Sequence, residues 1–323
     1  MEGFSKEEVE SAQRIVYQHI KPTPQYAWPQ LCQAVGCELW LKHENHTPIG
    51  AFKVRGGLVY MDALARDPSI GDLVTATRGN HGQSIPYAAR LYDKTAHVYA
   101  PESNSVEKNA AMRAWGAQLH LHGSDFEQAV EAAVAHATQD DLHMVPSFHR
   151  NLVLGVATYG YELMTEVEGL DAIYVPIGMG SGASSLIAVR DLLGVTTKII
   201  GVVSTDADAI AQSFSAGKII STNTARTFAD GVATRVPHPE AFEVLSKGLD
   251  RVVRVSDDEV ADAIRLIYAT THNIAEGAGA AATAAVIQER EQCDGKRVAA
   301  ILTGGNIDRN WFAKILSGET PEI

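Results

Sequence analysis

Short apolar runs alternate with stretches of helical periodicity along nearly the whole chain. Residues 37–44 (CELWLKHE) read as a strand, and 71–77 (GDLVTAT) as a second that runs through a glycine loop into a helix over 82–92. A strand over 95–101, a helix over 105–116, a strand over 118–123 and a helix over 125–139 continue the alternation. The pattern resumes with a strand at 171–178 and a helix at 183–194, then a strand at 197–203 and a helix at 208–217. Two helices, 257–272 and 277–291, precede a last strand over 297–305. Strands separated by helices of ten or more residues require crossover connections and hence mainly parallel sheets. The units near 71–137 and near 172–213 form two separately wound sheets, an α/β protein of two doubly wound domains with a cleft between them. Ligands of such sheets bind beyond the carboxyl ends of the strands.

Composition narrows the class. At 323 residues the chain exceeds what one compact core usually holds, in agreement with two domains. A net charge of −12 argues against a sequence-independent hold on nucleic acid or on anionic membrane, both of which need clustered Lys and Arg. Small anionic ligands need only a few local donors and stay open. Cys32, Cys37 and Cys293 have neither metal nor disulfide spacing and read as reduced thiols. The N-terminus is acidic and helical, with Ser5 as cap and Glu8 three residues on, so it is no signal peptide. No apolar run approaches the ~18 residues of a membrane span. The expectation is a cytoplasmic protein.

Chemistry concentrates in loops. The strand at 171–178 empties into Gly178, Met179, Gly180, Ser181 and Gly182, with a helix expected from Ala183. Glycines let backbone approach a ligand, and a helix N-terminus offers free N–H groups and positive dipole, which suits a phosphate. The loop matches neither the Walker pattern nor GxGxxG, and a tight strand-to-helix turn accounts for it equally well. Thr77, Arg78, Gly79, Asn80 and His81 form a second loop able to hold a carboxylate, or simply an N-cap turn at Asn80. Thr303, after the last strand, satisfies a turn on the plainer reading. Lys53 stands among Ala51, Phe52, Val54 and glycines, where a drier amine has a lowered pKa and serves as nucleophile and base. A lone lysine in such a stretch usually snorkels to solvent. One lysine, one phosphate cradle and one partner for a ring nitrogen together describe pyridoxal phosphate held as a lysine Schiff base.

In order along the chain, GAFKVRGG (50–57), TRGNHGQS (77–84), PIGMGSGASS (176–185), EGAGAAA (276–282) and TGGNID (303–308) resemble the serine/threonine dehydratase and serine racemase family. These are fold type II pyridoxal-phosphate enzymes with a tryptophan-synthase-β-like fold, and the resemblance spans about residues 10–315. It implies a large cofactor-binding domain of residues 1–56 and 149–323, a small substrate-side domain of 57–148, and the cofactor in the cleft. Lys53 is then the Schiff-base lysine and the proton carrier at Cα, and Phe52 lines the cofactor. Asn80 bonds the ring's phenolic oxygen, Gly178 to Gly182 cradle the phosphate, and Thr303 meets the pyridine nitrogen. Glu276 lies at the cofactor edge. Thr77, Arg78, Gly79, Asn80 and His81 surround the substrate carboxylate. A neutral hydroxyl at Thr303 leaves the ring nitrogen unprotonated, which favours loss of a β-substituent over transamination. The implied activity is β-elimination of water from a β-hydroxy α-amino acid, giving a 2-oxo acid and ammonia, by a homodimer. L-Threonine, L-serine, 3-hydroxyaspartate and threo-3-phenylserine are the candidate substrates. An amino-acid racemase of the same family and a non-catalytic sensor that binds an amino acid through the cofactor are the alternatives.

Three departures qualify the resemblance. Arg78 stands where the dehydratases have Ala and the racemases a catalytic Ser; always protonated, it is a poor proton shuttle and disfavours racemisation. It is expected on the substrate carboxylate or the cofactor phosphate, with solvent as the plainer alternative. In 201–209, Val203 and Ala209 replace the family's two metal carboxylates, so no Mg²⁺ or Ca²⁺ is expected there, and Asp206 and Asp208 become helix N-terminal acids. The chain ends soon after TGGNID, so a regulatory domain and isoleucine feedback are not expected.

Overall fold

The computed structural model describes residues 3–124 and 126–323. Its ten strands are β1 (Gln25–Ala27), β2 (Glu38–His43), β3 (Leu73–Ala76), β4 (Ala96–Ala100), β5 (Gln118–Leu121), β6 (His143–Met144), β7 (Ala172–Pro176), β8 (Lys198–Ser204), β9 (Arg251–Val255) and β10 (Arg297–Leu302). They form a six-stranded sheet in the order β1-β2-β10-β7-β8-β9 and a four-stranded sheet in the order β5-β4-β3-β6. Every pairing is parallel except β1 with β2. The two mainly parallel sheets expected from the alternating pattern are therefore present. β7 reads AIYVP and is buried at all five positions, as a strand covered by helices on both faces must be.

The capping box expected at Ser5 closes the helix Lys6–Tyr17: Glu8 N–H donates to Ser5 Oγ, and Ser5 N–H to the Glu8 carboxylate. Met1 and Glu2 lie outside the described residues. So does Asp125, where a helix start was expected; that helix is seen over Phe126–Gln139. Pro86 lies within the helix Asn80–Ala89, which continues as a short 3₁₀ turn through Tyr92. Asp208 caps the helix Ala209–Ala216 only in position. Its carboxylate instead pairs with Arg254 at 2.9 Å and accepts from Gln212 at 2.6 Å.

Of the helices that escape the alternating pattern, two govern where the chemistry sits. Lys53–Leu64 follows the phenylalanine of GAFKVRGG, and Arg150–Glu166 packs across it. Both are buried on nearly every face, so no polar stripe marks their period. They cross so closely that a Cβ at Gly56 would lie 2.7 Å from the Leu152 carbonyl oxygen, and one at Gly155 2.8 Å from Gly56 Cα. Glycine on both sides is the only solution at that crossing. Beneath it lies a buried ionic cluster. Arg55, 0% exposed, donates to Glu44 at 2.8 and 3.0 Å and to Glu162 at 2.6 and 2.9 Å, while Lys42 Nζ reaches Glu162 at 2.6 Å. Two cations face two anions, which is the condition for burying charge at tolerable cost. The cluster pins the first turn of the Lys53 helix to the end of β2.

Candidate active site

Lys53 opens its helix, and the segment before it is stitched to the segment after β10. Phe52 N–H donates to the Thr303 carbonyl at 3.0 Å, Ala51 and Gly304 form an isolated bridge, and Gly305 N–H donates to the Gly50 carbonyl. Gly50 and Gly180 adopt φ of +67° and +96°, the left-handed region that glycine enters without strain. The Lys53 carbonyl is held from the other side by Ser84 Oγ at 2.6 Å. What remains free to act is the amine. It lies 4.8 Å from the Phe52 ring centroid and donates to Ser181 Oγ at 3.0 Å. Desolvation alone pulls it from 10.5 down to about 8.

Ser181 is the first residue of the helix Ser181–Leu193, and Gly180 is its N-cap. The loop Gly178 to Gly182 thus connects the end of β7 to a helix N-terminus, whose leading N–H groups have no intrahelical partner. A Cβ on Gly178 would overlap the Gly231 carbonyl, so the glycines there are steric as well as conformational. Ser184 Oγ, one turn into the helix, is buried without a partner.

The loop after β3 forms the opposite wall. Thr77 is buried, its N–H donates to the Tyr99 carbonyl, and its Oγ1 accepts from Gly79 N–H at 3.1 Å. Asn80 is held at both ends: Nδ2 donates to Glu276 Oε1 at 2.7 Å, and Oδ1 accepts from Asn306 Nδ2 at 2.8 Å. The same Asn306 amide donates to the Ile49 carbonyl at 2.8 Å, so one side chain ties the lysine loop to the asparagine loop. His81 is buried with Nε2 unpartnered. Desolvation, aided by the Lys53 charge, lowers it to about 3, so the imidazole is neutral at physiological pH. Thr303 is buried, and its hydroxyl has no hydrogen bond among the described residues. Alone in this loop, Arg78 faces solvent and makes no ion pair among the described residues, the plainest of its three expected positions.

Glu276 is 3% exposed, with Oε2 unpartnered. Burial raises its carboxyl to about 7, against the opposing effect of Lys108. Lys108 and its partner Asp230 were not singled out from sequence. Lys108 is 8% exposed, lies against Gly79 and forms an ion pair with Asp230. Burial works against its charge, but Asp230 and Glu276 outweigh it and keep the ammonium charged. In sequence it is one charged position on the helix Val106–Ala114, with a partner 122 residues away. Nothing local marks it; the only available signal was Asp230 among small residues in FADGVA.

The arrangement fits pyridoxal phosphate. A primary amine of lowered pKa suits an aldehyde, a glycine-lined helix N-terminus suits a phosphate, and the Thr303 hydroxyl, without a hydrogen bond among the described residues, suits a ring nitrogen. The orphaned Ser184 Oγ, His81 Nε2 and Glu276 Oε2 are polar atoms that a bound polar group would satisfy.

Comparison with known proteins agrees. A family model described as pyridoxal-phosphate dependent enzyme matches residues 16–304. The L-threonine ammonia-lyase of Thermotoga maritima is 30% identical over 312 residues, covering 96% of this chain and 78% of that protein. The L-threo-3-hydroxyaspartate ammonia-lyase of Saccharomyces cerevisiae is 28% identical over 313 residues, covering 97% and 96%. Among solved structures, the processed form of threonine deaminase isoform 2 from Solanum lycopersicum has a TM-score of 0.89 at 27% identity, covering 98% of this chain and 94% of that one. The chain belongs to the family of pyridoxal-phosphate dependent enzymes, and pyridoxal phosphate is its cofactor.

Proposed function

We propose that the protein is an ammonia-lyase that removes water from a β-hydroxy α-amino acid and releases a 2-oxo acid and ammonia. The observation that carries this is the Lys53 amine, lowered to about 8, hydrogen-bonded to Ser181 and close enough to buried His81 for its charge to act there. Residues 57–148 form the substrate-side unit, and 1–56 with 149–323 the cofactor-bearing unit. Support comes from the relatives named for ammonia release from L-threonine and from L-threo-3-hydroxyaspartate.

Bound pyridoxal phosphate supplies an electron sink for the pair left when Cα loses its proton. Gly178, Met179, Gly180, Ser181 and Gly182 would hold its phosphate, Phe52, Asn80 and Glu276 would line its site, and Thr303 would offer its hydroxyl to the ring nitrogen. Lys53 Nζ takes the Cα proton, for which a pKa near neutrality is suited. Ser181 Oγ orients that amine. Thr77, Gly79, Asn80 and neutral His81 receive the substrate carboxylate; Lys108 behind Gly79 supplies fixed positive charge nearby. Arg78 projects to solvent at the rim, where it meets only a substrate long enough to reach out.

A panel of β-hydroxy amino acids, in D and L and in threo and erythro forms, tests the reading when 2-oxo acid and ammonia are scored together. The panel should include threonine, serine, 3-hydroxyaspartate and 3-phenylserine. The expected result is stoichiometric 2-oxo acid and ammonia from at least one member, and neither from Lys53→Ala, which also loses the absorbance of bound cofactor. Inversion at Cα without ammonia release identifies a racemase instead. Cofactor binding with no turnover of any member identifies a sensor.

A further inference from the structure

Away from the cleft, three histidines from three elements of the four-stranded sheet unit converge on one point. His97 lies on β4, His120 on β5 and His136 on the helix Phe126–Gln139, and each is half-buried. One ring nitrogen from each falls within 4.8 Å of the other two. His120 is paired in register with Tyr99, two residues from His97, so all three side chains leave the same sheet face, the one the helix covers. His97 Nδ1 and His120 Nε2 are 3.1 Å apart in rings inclined by only 18°. The His136 ring stands at 84° to His97 and 78° to His120.

We propose that His97, His120 and His136 form a site for a late first-row divalent cation such as Zn²⁺. Three neutral imidazoles with an open fourth position are a ligand set such ions favour. Zn–N bonds of about 2.0–2.1 Å in tetrahedral geometry place ligand nitrogens about 3.4 Å apart, within a small side-chain rotation of the observed arrangement. The surroundings are built to match. Asp140 accepts from His136 Nε2 at 3.0 Å, the carboxylate–histidine arrangement that fixes a metal-binding ring and leaves its Nδ1 for the ion. Tyr99 OH donates to that Nδ1 at 3.2 Å, a bond the ion would displace, freeing the hydroxyl for a water in the fourth position. The ion would clip the helix to the edge strand β5, beside a small apolar cluster of Val74, Ala76 and Ala133.

The test uses the holoenzyme, stripped with a chelator and dialysed against Zn²⁺, with metal counted per chain and the thermal midpoint measured with and without Zn²⁺. Wild type is expected to retain about one Zn²⁺ more than His120→Gln and to gain thermal stability that the variant does not. His122→Gln, at an exposed neighbour, should behave as wild type. Asp140→Asn, beyond the helix end, keeps the fold and should weaken Zn²⁺ binding about 10- to 100-fold. Equal Zn²⁺ retention by wild type and His120→Gln, or unaltered affinity in Asp140→Asn, overturns the proposal.

Discussion

Replacing Arg55 by methionine isolates what holds the lysine helix in place. Arg55 is fully buried and makes four bonds to Glu44 and Glu162, plus contacts to Thr158 Oγ1 at 2.9 Å and Thr23 Oγ1 at 3.2 Å. Methionine fills comparable space, so packing loss is small, but Lys42 is then left alone against two carboxylates. Removing one partner from a buried ion cluster costs about 3–5 kcal/mol. With about 2–4 °C lost per kcal/mol in chains of 150–250 residues, the expected fall in Tm is about 6–20 °C. Urea unfolding followed by circular dichroism gives the free energy, and absorbance of bound cofactor reports whether Lys53 stays in place. The double variant Arg55→Met/Glu44→Gln restores one cation to one anion and should be more stable than Arg55→Met alone. The reasoning is refuted by an Arg55→Met protein within about 1 kcal/mol of wild type, or by a double variant no better than the single one.

Other outcomes follow from the site. In cofactor-free protein, Lys53 should react with small amine reagents with a midpoint near pH 8; at pH 7 about a tenth of it is unprotonated, against about one part in three thousand for an ordinary lysine. A midpoint above 10 contradicts the desolvated amine. Glu276 titrates near 7 when folded and near 4.5 when unfolded, so the folded state binds the extra proton between these values and stability falls as pH rises through that window. Glu276→Gln should flatten that slope, and an unchanged slope places the titration elsewhere. Glu162 behaves oppositely: burial raises its carboxyl, but Arg55 and Lys42 prevail and hold it below 4.5, so its contribution is lost as pH falls through the depressed value. Acid unfolding of Arg55→Met should therefore begin at higher pH than that of wild type. Gly57→Ala would set a Cβ 3.0 Å from the Ser84 carbonyl oxygen, push apart the helices on which Lys53 and Asn80 begin, and cost about 1–3 kcal/mol. Its cofactor affinity should drop with its stability; intact affinity argues that the contact relaxes.

The doubly wound plan was legible because short apolar strands and helical stretches alternate over Leu73–Gln139 and again over Ala172–Ala216, and the five motifs marked the loops that converge. Arg150–Glu166 was not legible: NLVLGVATYGYELM is apolar all round, and a helix buried on every face shows no periodicity. Arg55 looked like polar flank to Lys53, whereas it is a fully buried charge, because its partners are Glu44 and the distant Glu162. Lys108, Asp230 and the three histidines failed for the same reason. Each is unremarkable in its own element and acquires meaning only when the fold brings it to a partner.

The glycine crossing of the two buried helices also bears on engineering. Diversity introduced to change substrate range can be spent at Arg78, whose side chain faces solvent. Libraries that reach Gly56 or Gly155 would mostly sample unfolded protein, because backbone there meets backbone and nothing can step aside. The immovable point therefore falls within the GAFKVRGG motif itself, at Gly56, less than one helical turn after its lysine.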